Sequence, residues 1–420
     1  MVKNLLLAGA LLSGISANAG QKVKVLFLGN SYTAVNNLPQ MVASVALSAG
    51  DTLVFQSNVP GGTTLRQHST NATSLGMIAQ GTWDYVVLQE QSQYPSFPDG
   101  QVAAEVYPFA RKLDSLITAA NGCTETVFYR TWGRKNGDQQ NCAFFPPVCT
   151  YAGMDSMLAL RYRIMADSNR AVLSPVGQVW KRLRQSHPGI DLYNPDESHP
   201  SMAGSYAAAC TFYATFFRKN PLLITDNQSL PASDALAIRQ AVKTVVYDSL
   251  LFWNVGKYDP KAQFAFTGGA GRQVSFQNAS QNAATYQWQF GSGQSSDTAK
   301  NPTYTFTANG TYTVRLIASR CGRSDTTTQQ VTVSATGVSN TEKFPEIELF
   351  PNPAGDVLKV TGLATNAQLE VFDMGGKKLP VLTTRLGDDW VLSTAALPQG
   401  LYTLRVETQS GVEARIFRKM

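Results

Sequence analysis

Charge is scarce in this chain. Asp, Glu, Lys and Arg together make up 15% of its 420 residues, and 35 basic against 29 acidic side chains leave a net charge of +6. The basic residues are scattered, with no Lys/Arg run of the kind that follows a nucleic-acid backbone, so the surface reads as mildly basic and solvated, with no nucleic-acid partner. Histidine is scarcer still, at three residues, and cysteine numbers five. No Cys-x-x-Cys pair occurs, which argues against thiolate zinc sites. Also absent are a Walker A loop, a dinucleotide fingerprint, a His-Glu-x-x-His helix and the Gly-x-Ser-x-Gly elbow of α/β-hydrolases. Neither a metal nor a cofactor is expected. After the first residues no stretch reaches ~18 unbroken apolar side chains, so no transmembrane segment is expected.

What is present points to folded, exported material. Hydrophobic residues make up 43% of the chain, and its length implies two or three domains. Lys3, the apolar stretch 5–15 and the small-x-small site Ala17-Asn18-Ala19 have the order of a signal peptide over 1–19, with a mature start near Gly20. Export permits disulfides. Cys142 and Cys149 flank a short Phe-Phe-Pro-Pro loop and are the best candidate pair. The odd count leaves at least one thiol unpaired within the monomer, and the sequence does not assign partners to Cys123, Cys210 and Cys321.

From residue 20 to 257, short apolar runs alternate with amphipathic segments. Strands are expected over 23–28, 52–59, 85–88, 126–129 and 171–173. Helices are expected over 38–48, 103–120, 154–166 and 175–185, with two more near 202–219 and 232–252. Strand followed by helix, repeated, implies an α/β domain in three layers, a parallel sheet with helices on both faces.

At residue 258 the composition shifts to Thr, Ser, Gln, Gly and aromatics with a period of two, and all-β sandwich structure is expected from there on. Strands over 303–306 and 311–317 flank Asn309-Gly310, a hairpin-turn pair. Tyr286-Gln-Trp-Gln-Phe-Gly-Ser-Gly, Asn301-Pro-Thr-Tyr-Thr-Phe and Gly310-Thr-Tyr-Thr-Val resemble a PKD domain over 258–335, with Gln289 where that family usually has Asp. A linker over 336–345 leads to a second all-β unit over 346–420. Its markers are Phe350-Pro-Asn-Pro, Val371-Phe-Asp-Met-Gly-Gly, Leu397-Pro-Gln-Gly-Leu-Tyr and Arg418-Lys-Met. In this order they resemble the C-terminal sorting domain of the type IX secretion system. That resemblance implies a partner, the secretion machinery, and export through the periplasm of a gram-negative bacterium to the medium or the cell surface.

The chemistry is concentrated in the first part. Leu28-Gly29-Asn30-Ser31 places a serine between the first strand and a helix, at the carboxyl edge where open α/β sheets bind ligands. Ser31 is a candidate nucleophile, although a serine there also serves as a helix cap. Asp196-Glu197-Ser198-His199 supplies a carboxylate three residues before a histidine, able to fix its tautomer and stabilise its cation. A weak hydroxyl nucleophile needs such a base.

Together these blocks resemble the SGNH (GDSL-like) hydrolases. The resemblance implies catalytic Ser31, Asp196 and His199, and an oxyanion hole from the N–H groups of Ser31 and Gly62. The family's third block, Gly-x-Asn-Asp, is replaced by Gln89-Glu90-Gln91-Ser92. Gln91 falls at the Asn position and Gln89 is the rival. His68 is expected at the pocket rim and Trp132 as a pocket wall, each with the alternative of an ordinary structural side chain.

The resemblance implies a carboxylic ester hydrolase. The polar segments at the sheet edge favour short acyl groups, acetyl above all, on a carbohydrate. A lipase or thioesterase of the same superfamily, or an inactive glycan-binding surface protein, are the alternatives.

Overall fold

The computed structural model describes residues 20–291, 296–334, 347–363, 367–386, 389–408 and 411–420. The expected signal peptide and the expected linker over 336–345 lie outside the described residues.

Five parallel strands form the first sheet. They are β1 (Lys22–Leu28), β2 (Thr52–Asn58), β3 (Tyr85–Leu88), β4 (Glu125–Tyr129) and β5 (Val172–Ser174), in the order β2-β1-β3-β4-β5. Every residue of β3 is buried, as are Val25 to Leu28 of β1. Such continuous burial is why these strands read as apolar runs without alternation: helices cover both faces. The chain starts in β1, moves outward to β2 and returns to β3 on the other side of β1, so the reversal of direction falls between β1 and β3. Leu28 is in register with both Asn58 and Leu88, so three strands end level at that reversal.

The helices are α1 (Ser31–Ala34), α2 (Leu38–Ser48), α3 (Leu65–His68), α4 (Ala72–Ala79), α5 (Asp99–Glu105), α6 (Tyr107–Ala120), α7 (Tyr151–Ser168), α8 (Val176–Ser186), α9 (Met202–Phe217) and α10 (Ala232–Val245). One layer gathers α2, α8, α9 and α10; the other gathers α3, α4, α6 and α7. Right-handed crossovers on either side of the reversal put these layers on opposite faces. Fifteen residues of α9 are buried, which suits a helix apolar on all sides. Gly204 lets it pack tightly, since a Cβ there would stand 2.3 Å from the Leu192 carbonyl oxygen and 2.5 Å from the Trp180 ring.

Two expected helices are divided. The span 103–120 breaks at Val106, because Pro108 lacks the N–H that a continuous helix would use and instead occupies the first turn of α6. The span 232–252 ends as an α-helix at Val245 and continues as a 3₁₀ segment, Tyr247–Trp253, interrupted at Ser249.

The all-β region begins with two sheets. Strands β6 (Phe264–Gly268), β7 (Gln273–Asn278) and β10 (Thr303–Thr305) form one; β8 (Thr285–Phe290), β9 (Ser296–Asp297), β11 (Gly310–Arg320) and β12 (Arg323–Val333) form the other. Phe264, Phe276, Trp288, Phe290, Val314 and Leu316 fill the core between them. The expected hairpin at Asn309-Gly310 is not one. β10 pairs with β7 and β11 with β8 and β12, so the chain crosses between sheets at that point. The tight hairpin lies instead at Cys321-Gly322, joining β11 to β12, where both residues have positive φ as a primed turn requires. Two further four-stranded sheets follow after residue 347, with Leu358, Val360, Val371, Leu392, Leu404 and Phe417 in their core.

By its contacts the chain divides into two compact units. The first holds residues up to 261 together with 281–285 and 318–326; the second holds the remainder. Within the first unit Cys123 is bonded to Cys321, and Cys142 to Cys149. Cys210 is free and buried. Among the described residues no helix is long and apolar enough to cross a membrane.

Candidate active site

Ser31 is the first residue of α1, three residues past the end of β1. The tight exit from the strand requires Gly29, where a Cβ would stand 2.6 Å from Gln89 Oε1 and 2.7 Å from Thr33 Oγ1. The helix cap is Asn30, whose Oδ1 accepts the Tyr32 N–H at 3.1 Å. The Ser31 hydroxyl is therefore not used as a cap, and its Oγ lies 2.8 Å from His199 Nε2.

His199 sits in a turn closed by the bridge between Tyr193 and Pro200 and by the Asn194 N–H bond to the His199 carbonyl at 2.8 Å. Glu197 takes a left-handed conformation at φ 59°, which folds Asp196 back onto the histidine. His199 Nδ1 is 2.5 Å from Asp196 Oδ2, while Oδ1 accepts the N–H groups of Ser198 and His199 at 3.1 and 3.0 Å. Partial burial pushes the Asp196 carboxyl up, but the His199 ring and these two N–H groups together hold it below the usual carboxylate value. The line Asp196–His199–Ser31 thus has Nδ1–H facing a carboxylate and leaves Nε2 to accept the serine proton. It is open to solvent, with the side chains of Asp196 and His199 48% and 32% exposed.

The Pro60–Thr63 turn carries Gly62, at φ 69°, on the exposed rim of the same edge. Asn30 Nδ2 ties this turn to the serine by donating to the Thr63 carbonyl at 3.0 Å. Gln91 is half-buried. Its Oε1 accepts the N–H groups of Gln93 and Tyr94 at 2.7 and 3.3 Å, and its Nε2 donates to Gln93 Oε1 at 3.2 Å.

Gln89 does not fit the rival role. It is fully buried, with Oε1 accepting from Asn30 N and Thr33 Oγ1 and Nε2 donating to Asn30 Oδ1 and the Glu90 carbonyl. Both amide hydrogens are occupied, so none is left for a substrate. Gln89 instead braces the serine turn.

Two other expectations are corrected. His68 is not on a rim: it is fully buried, with Nε2 2.8 Å from the Gly29 carbonyl and Nδ1 2.8 Å from Ser74 Oγ. Burial lowers its pKa, outweighing the Gly29 bond that raises it, and the neutral ring donates to Gly29 and accepts from Ser74. Trp132 is not a pocket wall. It is fully buried, stacked between Tyr32 at 4.9 Å and Trp180 at 3.7 Å, and its indole N–H donates to the Ser198 carbonyl at 3.1 Å. The Tyr32 hydroxyl lies 2.6 Å from Ser198 Oγ, and its ring meets His199 edge-on at 5.2 Å. The aromatic column therefore grips the histidine loop from below.

Asn30, Tyr32, Glu90 and Ser198 were not singled out in the sequence. Asn30 and Ser198 are neighbours of Ser31 and His199 and had no other signal. Glu90 had one: an acidic residue directly after a fully apolar strand. Burial pushes its carboxyl up to about 8, against the lowering effect of the Gln91 and Leu65 N–H groups. Among the described residues no group of three His, Cys, Asp or Glu side chains is placed to hold a metal ion.

Comparison with known proteins separates the parts. Residues 259–334 match the model of the PKD domain, and residues 348–417 match that of the secretion system C-terminal sorting domain. The sorting domain implies export to the medium or the cell surface. No curated protein matches the chain. Among solved structures, a DUF4886 family protein from Bacteroides uniformis is 20% identical, covering 55% of this chain and 95% of its own, with a TM-score of 0.47. The psychrotrophic esterase EstA from Pseudoalteromonas is 16% identical, covering 46% and 97%, with a TM-score of 0.33. The PKD1 domain of the Vibrio cholerae metalloprotease PrtV is 36% identical, covering 18% and 98%, with a TM-score of 0.17.

Proposed function

We propose that residues 20–257 form a serine ester hydrolase of SGNH type that removes short acyl groups, acetyl above all, from carbohydrate alcohols outside the cell. The observation that carries this reading is the hydrogen-bonded line from Asp196 through His199 to the Ser31 hydroxyl, at 2.5 and 2.8 Å. In this reading Ser31 Oγ attacks the ester carbonyl carbon while His199 Nε2 takes its proton and Asp196 stabilises the imidazolium. The carbonyl oxygen gains the electron pair and is met by the N–H groups of Ser31 and Gly62 and by the Gln91 amide. Collapse breaks the bond to the alcohol, which leaves with the proton from His199. Water then attacks the acyl-serine, with His199 again as base, and releases the acid.

The substrate class rests on the character of the rim. The accessible parts of the segments at this edge are Gly61-Gly-Thr-Thr, Gln91, Gln93 and Tyr94, Arg134-Lys-Asn and Asn194-Pro-Asp-Glu-Ser. They offer little apolar surface; Phe144, 87% exposed, belongs to the separate Cys142–Cys149 loop. A long acyl chain gains ~0.8 kcal/mol per CH₂ only where a continuous apolar groove removes it from water. The test is kcat/KM across p-nitrophenyl esters from acetate to octanoate, followed by acetate release from acetylated polysaccharide. A peak at acetate supports the reading; a steady climb to octanoate favours a lipase.

A further inference from the structure

Gly62 and Gln91 leave the sheet edge on separate loops, and one side chain joins those loops. Glu90 Oε1 accepts the Gln91 N–H at 2.6 Å and the Leu65 N–H at 3.1 Å, and Oε2 lies 3.3 Å from the same Leu65 nitrogen. Leu65 opens α3 directly after the turn that carries Gly62. The two loops meet a second time at Asn30, through Thr63 on one side and Gln89 on the other. Glu90 therefore closes a ring of bonds that runs past Ser31 and fixes the spacing of the candidate oxyanion donors.

The carboxyl is fully buried. No Lys, Arg or His among the described residues forms a hydrogen bond or ion pair with it. Tyr162 of α7 is the titratable side chain packed against this residue, its hydroxyl accepting the Glu90 N–H at 3.2 Å. A buried carboxylate without a cation is expensive, and proteins retain such groups where their position matters.

We propose that Glu90 is a positioning residue whose neutral carboxyl holds the Gly62 and Gln91 loops in the geometry that receives the oxyanion. Oε1 accepts both N–H groups, so the neutral acid, with its proton on Oε2, keeps the bridge, whereas ionisation leaves a buried charge without a cation and favours opening of the loops. Burial places this ionisation near pH 8.

The proposal rests on the serine esterase reading, and its test is chosen to separate the two. The pH dependence of kcat and KM is measured for wild type and Glu90→Gln with a short p-nitrophenyl ester, beside amide exchange protection factors at Leu65 and Gln91. Wild-type kcat should fall roughly tenfold between about pH 7 and pH 9, at constant KM, as the carboxyl ionises and the loops loosen. Glu90→Gln, whose amide oxygen can accept the same two N–H groups and does not ionise, should lack this fall, with KM within twofold. Protection at Leu65 and Gln91 should fall over the same pH range in wild type alone. The wild-type exchange profile needs no variant and stands even where Glu90→Gln folds poorly. A folded Glu90→Gln with the wild-type pH profile overturns the proposal, as does wild-type protection that does not change with pH. Absence of all ester turnover removes the esterase reading instead, and the exchange profile then decides whether Glu90 ties the loops.

Discussion

Ser31 donates its hydroxyl proton to a single nitrogen, and His199 has a single carboxylate behind it. Ser31→Ala and His199→Ala should each reduce ester hydrolysis to background while the folded domain remains, because members of one catalytic unit fail together. Asp196→Asn should cost ~10³–10⁴-fold in kcat through the wrong tautomer. Asp196 is held below the usual carboxylate value, so its bonds stabilise the fold above the unfolded carboxylate value and are lost as pH falls through the folded one. Glu90 has the opposite sign. Its folded value near 8 exceeds the ordinary 4.5, so its contribution is full below pH ~4.5 and disappears as pH rises through 8. Thermal melting should therefore fall across this window in wild type and flatten in Glu90→Gln. The two glutamines separate in the same way. Gln91→Ala should lower kcat ~100-fold with little change in KM, the pattern of a donor used only in the transition state. Gln89→Ala should lower stability by ~1–3 kcal/mol, because it strands the buried Asn30 N–H and Thr33 hydroxyl.

The three level strand ends of β1, β2 and β3 gather the serine, glycine and glutamine blocks at one edge, and the column of Tyr32, Trp132 and Trp180 fixes the loop that brings the histidine. Trp132→Phe keeps the stack and removes the bond to the Ser198 carbonyl, so kcat should fall more than KM changes, with a stability loss of ~1 kcal/mol. Much of this arrangement was legible in the sequence. Strands β1, β3, β4 and β5 were visible as short apolar runs because most of their residues are buried, and Ser31 and Asp196–His199 were visible because their spacing is local. The contacts between blocks were not. Nothing near Trp132 signals Ser198, 66 residues away, and nothing near His68 signals the Gly29 carbonyl. Likewise Asn309-Gly310 satisfied a local hairpin rule that sheet pairing overrode, since β10 finds its partner in β7.

The first unit has its own core and contains Ser31, Asp196 and His199, while residues 348–417 match a sorting domain. A chain ending near residue 345 should hydrolyse esters normally yet accumulate in the periplasm of a host with type IX secretion. The Cys123–Cys321 bond closes a loop across 198 residues of sequence, and its loss in Cys123→Ser should lower unfolding stability by ~2–4 kcal/mol with little effect on turnover. The expectations about turnover presuppose that the serine following β1 is a nucleophile. The direct measurement is reaction of the purified mature protein with a fluorophosphonate, followed by mass spectrometry of its peptides. A stoichiometric adduct on Ser31, absent in His199→Ala, is the result expected; a folded protein that takes up no adduct, or carries it on another serine, would contradict the assignment.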